Sequence, residues 1–290
     1  MSFAGLRVLS LESRRAKEIE AFIRRLQGDP FVAPSVQERA LEEHGEVVHF
    51  VQRLERGEFD MLICMTGAGL EFLREAAAAH MPLDRFASAL RKATIVSRGP
   101  KPLPALRALS VPVEIVIPEP NTWKEIVQAV AGRPERRIAV QEYGRPNPEM
   151  NAALERLGAS VTPVAIYRWE LPADLAPLRA AARKLAAGEC DVAVFTSSIQ
   201  LDHLLEIALA EGLEEQVLKS LREDIAVASV GPVMTSSLEA RGITPDIIPQ
   251  HPKMWALVKA AAELAPDVLI RKRGIKPACP TSEQSDSQWL

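Results

Sequence analysis

Two hydroxyl-rich segments, Met65-Thr66-Gly67-Ala68-Gly69 and Thr196-Ser197-Ser198, each follow a short apolar run and precede a helical pattern. A hydroxyl beside the N–H groups of a helix N-terminus makes a seat for a carboxylate or a phosphate. The same Ser and Thr also serve as plain helix caps. Two further segments, Ser97-Arg98-Gly99-Pro100-Lys101-Pro102 and Ser229-Val230-Gly231-Pro232, close strand-like runs with a shared Ser-x-Gly-Pro pattern. Gly allows the tight turn and Pro suits a first helical turn, so punctuation explains both. It does not explain Arg98 and Lys101, which are either solvated surface charges or ligands for an anion.

A third pattern, Gln141-Glu142-Tyr143-Gly144-Arg145-Pro146, sets a phenol and a guanidinium at a strand-to-helix turn. Arg145 could clamp a carboxylate with two parallel hydrogen bonds. Glu12-Ser13-Arg14-Arg15 holds the matching place earlier in the chain, where the arginines could equally pair along a helix face. Tyr167, in Ala165-Ile166-Tyr167-Arg168-Trp169, is expected to end the strand that begins near Val161, and shares with Tyr143 the distinction of being the chain's two tyrosines. A phenol at a strand exit is neutral at pH 7 and can give a proton. A core tyrosine with a satisfied hydroxyl is the competing reading.

These residues are spaced by an alternation of strand and helix. Strand patterns fall at 6–9, 31–33, 61–65, 94–97, 113–117, 138–141, 161–166, 192–196, 225–229 and 243–248. Apolar residues at helical spacing lie between them, for example at 12–26, 70–79, 122–131, 148–157, 175–187, 200–211 and 254–264. The alternation predicts an α/β fold with mostly parallel sheets, whose ligands bind outside the carboxyl ends of the strands.

The chain also repeats itself. Subtracting 132 lays Gly231-Pro232 on Gly99-Pro100, Leu238 on Leu106, Ile247 on Ile115, Pro252 on Pro120 and Trp255 on Trp123. Subtracting 131 lays Val194, Ser197, Leu201 and Asp202 on Ile63, Thr66, Leu70 and Glu71, and 130 lays Arg137, Ile138, Glu142 and Gly158 on Arg7, Val8, Glu12 and Gly28. Near-constant offsets across separate segments predict two similar α/β domains with a ligand cleft between them.

Composition excludes several classes. The 290 residues carry a net charge of -3, with 35 Lys and Arg interspersed among 38 Asp and Glu, so no basic face for nucleic acid is expected. Three dispersed cysteines exclude a paired disulfide framework, and the five histidines form no HExxH or HxxxH pair. No Walker loop, GxGxxG or Ser-His-Asp spacing occurs, so no metal and no cofactor is expected. There is no signal-like N-terminus and no membrane-spanning run, which predicts a cytoplasmic protein. Residues 266–290, basic and then polar, are expected to form a disordered tail.

Taken together, Gly158-Ala159-Ser160-Val161 leading to Tyr167-Arg168-Trp169, Val194-Phe195-Thr196-Ser197-Ser198 and Ser229-Val230-Gly231-Pro232 resemble uroporphyrinogen-III synthases over roughly residues 6–265. Arg98-Gly99-Pro100-Lys101-Pro102 and Pro120-Asn121-Thr122-Trp123 are similar to a bacterial branch of that family. The resemblance implies two α/β domains, 1–37 with 168–265 and 38–167, the chain crossing between them at 38–41 and 166–170. It implies a cofactor-free lyase, acting as a monomer on a small-molecule substrate. That substrate is the linear tetrapyrrole hydroxymethylbilane, cyclised with loss of water and inversion of ring D. Tyr167 matches the family's tyrosine. Thr66, Gly67, Ser97, Arg98, Gly99, Lys101, Tyr143, Gly144, Arg145, Thr196, Ser197, Ser198, Gly231 and Pro232 are the expected substrate-binding residues. Two departures stand out: Cys64-Met65-Thr66 where the family often has Phe-Thr-Ser, and Val233-Met234 where a hydroxyl pair is common. They leave open a non-catalytic two-domain tetrapyrrole sensor.

Overall fold

The computed structural model describes residues 1–40, 45–142, 144 and 146–274. The chain begins with β1 (Arg7–Ser10), α1 (Ala16–Arg25), β2 (Asp29–Val32) and β3 (Gln37–Ala40). Next come α2 (Gly45–Glu55), β4 (Met61–Cys64), α3 (Gly67–Ala78), α4 (Leu83–Leu90), β5 (Thr94–Ser97), α5 (Leu103–Ala108) and β6 (Ile115–Val116). They are followed by α6 (Trp123–Val130), β7 (Arg137–Gln141), α7 (Pro148–Arg156), β8 (Ser160–Val164) and β9 (Tyr167–Glu170). The last are α8 (Ala176–Ala186), β10 (Val192–Phe195), α9 (Ser198–Ala210), α10 (Glu214–Glu223), β11 (Ala226–Ser229), α11 (Pro232–Glu239) and α12 (Met254–Arg273).

These elements form two compact units, one spanning Val36–Leu171 and the other joining Met1–Ser35 to the chain from Pro172 on. In the Val36–Leu171 unit a five-stranded parallel sheet runs β6-β5-β4-β7-β8. Strand β4 is buried throughout, as a central parallel strand must be when helices cover both faces. Met61 and Ile63 enter a core with Ile126, Met150 and Leu154, while Leu62 and Cys64 enter one with Phe50, Leu73 and Phe86. The other unit holds a four-stranded parallel sheet, β11-β10-β1-β2. There Val8, Val192, Val194 and Ala228 pack on Ile19 and Ile23 of α1 and on Leu257 and Ala261 of α12.

The repeat is present in the pairing itself. Met61 opposes Ile138 in one sheet and Val192 opposes Val8 in the other, as offsets of 131 and 130 require. Met61 opposite Thr94 becomes Val192 opposite Ala226, and Val96 opposite Ile115 becomes the single bridge between Ala228 and Ile247. Strand order is therefore the same in both units, and β4 pairs with β5 and β7 in the register in which β10 pairs with β11 and β1.

Next to the points where the chain passes between units, β3 and β9 pair antiparallel from Gln37 opposite Glu170 to Ala40 opposite Tyr167. This corrects the expected strand through 161–167. Strand β8 stops at Val164 and Tyr167 opens a separate strand, because its ladder partner is β3 rather than β7. The strand expected at 243–248 is reduced to the Ile247 bridge. Pro245 and Pro249 lack N–H donors, and the Asp246 carboxylate accepts the Val227 N–H.

Residues 266–273, expected in the tail, belong to α12, which continues through Pro266 to a left-handed Gly274 cap. Burial of Val268 and Leu269 holds this last stretch, together with an Arg273 hydrogen bond to Asp191 and a Lys272 ion pair with Asp246, both at 2.8 Å. The rest of the expected tail, 275–290, lies outside the described residues. Among the described residues no helix is long and apolar enough to cross a membrane.

Candidate active site

In the Val36–Leu171 unit, the carboxyl ends of β4, β5 and β7 meet the N-terminus of α3, the kind of sheet edge at which parallel α/β folds bind ligands. Strand β4 ends at Cys64, Met65 points into the core with 1 % exposure, and Thr66 turns the chain into the helix. Thr66 caps α3: its Oγ1 accepts the Gly69 N–H at 3.0 Å.

The turn is held from the neighbouring strand. Gln141, at the end of β7 and fully buried, uses one carboxamide oxygen to accept the N–H groups of both Met65 and Thr66, each at 3.1 Å. Its amide nitrogen donates to the Glu142 carbonyl. A Cβ on Gly69 would lie 2.1 Å from that nitrogen, so the glycine makes room for the amide.

Tyr167 completes the cluster. Its hydroxyl lies 3.2 Å from Thr66 Oγ1, and its ring packs 5.4 Å from Phe72 of α3. Tyr167 is 2 % exposed, whereas Thr66 is half-buried, so Thr66 is the member of the pair that faces outward. A hydroxyl has two acceptor sites and one proton. If Thr66 accepts from both Gly69 and Tyr167, its own proton remains to be donated to a ligand.

The turn after β5 packs against the same helix end. Arg98 N–H donates to the Cys64 carbonyl at 2.9 Å, and a Cβ on Gly67 would sit 2.6 Å from the Lys101 carbonyl oxygen. The buried Ser97 hydroxyl donates to the Gly99 carbonyl at 2.8 Å, closing the turn. Gly99 has a left-handed φ of +75°, and a Cβ there would meet the Asn121 side chain at 2.3 Å. Arg98 is half-buried and Lys101 exposed, so this loop brings two cations beside the α3 N-terminus, whose dipole also favours an anion. Gly144 bridges Arg168 of β9 and lies under the Trp169 ring.

The sequence-derived residues thus divide by unit. Thr66, Gly67, Ser97, Arg98, Gly99, Lys101, Gly144 and Tyr167 lie together at one sheet edge. Tyr143 and Arg145 lie outside the described residues. Thr196, Ser197, Ser198, Gly231 and Pro232 occupy the corresponding edge of the other sheet, at the ends of β10 and β11. There Ser197 and Gln200 form a capping box on α9, and Val230 N–H donates to the Phe195 carbonyl at 3.1 Å, as Arg98 does to Cys64. The buried Ser229 hydroxyl pairs with Thr235 at 2.9 Å.

Two residues at the edge gave no sequence signal as ligands or supports. One is Gln141. The other is Glu142, whose repeat counterpart, Glu12, accepts the Thr196 hydroxyl at 2.8 Å. The position matching Thr196 is Met65, which joins the core and offers no donor, and burial raises the Glu142 pKa. The two buried cysteines, Cys64 and Cys190, are free thiols that burial pushes up to about 12 and about 11, so they are poor nucleophiles. Among the described residues no three His, Cys, Asp or Glu gather into a metal-binding group.

Comparison with known proteins agrees with this architecture. The profile of the family described as uroporphyrinogen-III synthase HemD matches residues 17–259. The uncharacterized protein YjjA of Bacillus subtilis 168 is 30% identical over 261 residues, 89% of this chain and 96% of its own. The structure of a mutant uroporphyrinogen III synthase from Thermus thermophilus superposes with a TM-score of 0.70 at 24% identity, covering 88% of this chain and 96% of that one. The corresponding enzyme of Helicobacter pylori 26695 gives 0.57 at 13% identity, over 89% and 99% of the two chains. These two likenesses establish the fold.

Proposed function

The chain belongs to the uroporphyrinogen-III synthase HemD family, and from that premise we propose that it cyclises hydroxymethylbilane to uroporphyrinogen III. The observation that carries the reading is the Thr66–Tyr167 hydroxyl pair at the N-terminus of α3, beside the cationic turn of Arg98 and Lys101. The reaction needs a proton where the substrate hydroxyl departs as water, leaving an azafulvene. Attack on it through a spiro intermediate inverts ring D. Tyr167 supplies the acidic hydroxyl and Thr66, facing outward, connects it to the leaving group. The eight carboxylates of the substrate suit a helix N-terminus and cations. Most of the remaining rate comes from holding the two reacting ends in register.

The test is an assay with enzymatically generated hydroxymethylbilane that resolves type III from type I product. Spontaneous cyclisation gives type I, so type III formation above the protein-free control supports the reading, and its absence defeats it. A second reading, a tetrapyrrole-binding protein without turnover, is favoured by one observation: Met65 carries no hydroxyl and is sealed in the core, where the other unit places Thr196. Tight binding of a linear tetrapyrrole with type I product alone would select it.

A further inference from the structure

We propose that Gln141 is a positioning residue for the Thr66–Tyr167 pair, and that the two units build the same support from opposite sides. The inference rests on the function proposed above. In the Val36–Leu171 unit the carboxamide comes from the strand: Gln141 Oε1 accepts the Met65 and Thr66 N–H groups, both at 3.1 Å. In the other unit it comes from the helix. Gln200 Oε1 accepts the Thr196 N–H at 2.8 Å and the Ser197 N–H at 3.3 Å, the same two places in the repeat. The repeat offset of 131 lays Gln200 on Gly69, and the offset of 130 lays Gln141 on Leu11. Each unit therefore has one carboxamide, borne on a different element of the repeat. In the Val36–Leu171 unit Gly69 leaves it space, since a Cβ would come within 2.1 Å of Gln141 Nε2.

The amide nitrogens of the two carboxamides have different partners. Gln200 donates its amide N–H to the Thr196 hydroxyl at 2.8 Å, at the place in the repeat that Met65 holds in the Val36–Leu171 unit. A strand-borne Gln141 sends its amide nitrogen to a backbone carbonyl, that of Glu142. It thus fixes the Thr66 backbone without engaging the Thr66 hydroxyl, which keeps its contacts with Gly69 N–H and Tyr167. Removing the carboxamide leaves two N–H groups at a buried turn without their acceptor, and the turn must shift to satisfy them. Thr66 Oγ1 moves with it, away from the Tyr167 hydroxyl.

The test uses the full chain with Gln141→Leu, Gly69→Gln and the double variant, each also combined with Tyr167→Phe. Gln141→Leu is expected to lower kcat for type III formation about tenfold, with KM within about twofold, as misplacement of a reacting group does. In the Tyr167→Phe background the same change should have no further effect on kcat. Gly69→Gln alone crowds Gln141 and should lower the urea midpoint, and the double variant should recover both midpoint and most of kcat. A wild-type kcat in Gln141→Leu would overturn the proposal, and so would an equal loss in the Tyr167→Phe background. If the wild-type chain forms no type III product, the functional reading fails by itself. The urea midpoints then decide the carboxamide exchange separately, and a double variant less stable than both single variants would overturn it.

Discussion

Asp191 holds Arg7 by three hydrogen bonds of 2.9 Å, one to the backbone N–H and two to the guanidinium. One repeat away, Asp60 accepts the Arg137 N–H at 2.9 Å and pairs with its guanidinium. The offsets of 131 and 130 map one clamp on the other, so each sheet is locked at the amino ends of its central strands, away from its own carboxyl-end turns. Burial opposes the charge on Asp191, but hydrogen bonds from Arg7 and Arg273 outweigh it and hold the carboxyl well below the usual carboxylate range. Hydrogen bonding from Arg137 lowers Asp60 to about 2.

The clamps predict an acid limit to stability. A carboxyl with a depressed folded pKa contributes stability that is complete above its ordinary value near ~4 and is lost as pH falls through the folded value. The urea midpoint should therefore decline from about pH 4 towards pH 2. Asp60→Asn should flatten part of that decline and Asp191→Asn more of it. Asp60 is the more exposed of the two carboxylates, so its replacement should cost no more than about 1 kcal/mol at neutral pH. Parallel pH profiles in wild type and both variants would count against this account.

Tyr167→Phe keeps the ring against Phe72 and removes the hydroxyl next to Thr66. The urea midpoint should stay nearly unchanged while turnover to type III product falls roughly 10²-fold, the low end of general acid help. Product ratio must be measured with rate, since type I forms spontaneously. Wild-type type III formation by the variant would make Tyr167 a packing residue.

Arg98→Ala and Lys101→Ala should each weaken binding of a polycarboxylate tetrapyrrole, more at low salt than at high salt, because screening hides charges beyond about 10 Å at 0.1 M. Fluorescence titration at two ionic strengths measures this. Equal affinity for both variants and the wild type would return the two cations to the solvated surface.

Gly144→Ala should destabilise the Val36–Leu171 unit. Its φ is +72°, and a Cβ there would fall 2.2 Å from the Trp169 ring. Left-handed strain and overpacking together predict a loss of about 1–3 kcal/mol in urea unfolding. An unchanged midpoint would mean that Trp169 yields easily.

Strand β8 shows how far pattern carries. Apolar residues continue past its end through Ala165 and Ile166, so hydrophobicity alone does not reveal that pairing changes from β7 to β3 between Val164 and Tyr167. Helix α12 shows the opposite error: a proline and a basic run read as its end, yet Val268 and Leu269 are buried and the cations have partners in Asp191 and Asp246.

By itself the sequence determined the α/β class, the duplication and the identity of Tyr167 and Thr66 as candidates. These depend on residue type and on periodicity along the chain, and a duplicated core keeps both. Only the tertiary structure decided that Thr66 and Tyr167 are partners, and that Gln141 supports a turn 75 residues earlier in the chain. The neighbours of a parallel strand are set by crossovers, so contacts between strand ends leave no local pattern. The exchange of Gln141 with Gln200 was hidden for the same reason: the carboxamide is in the same place in space but at different places in the repeat.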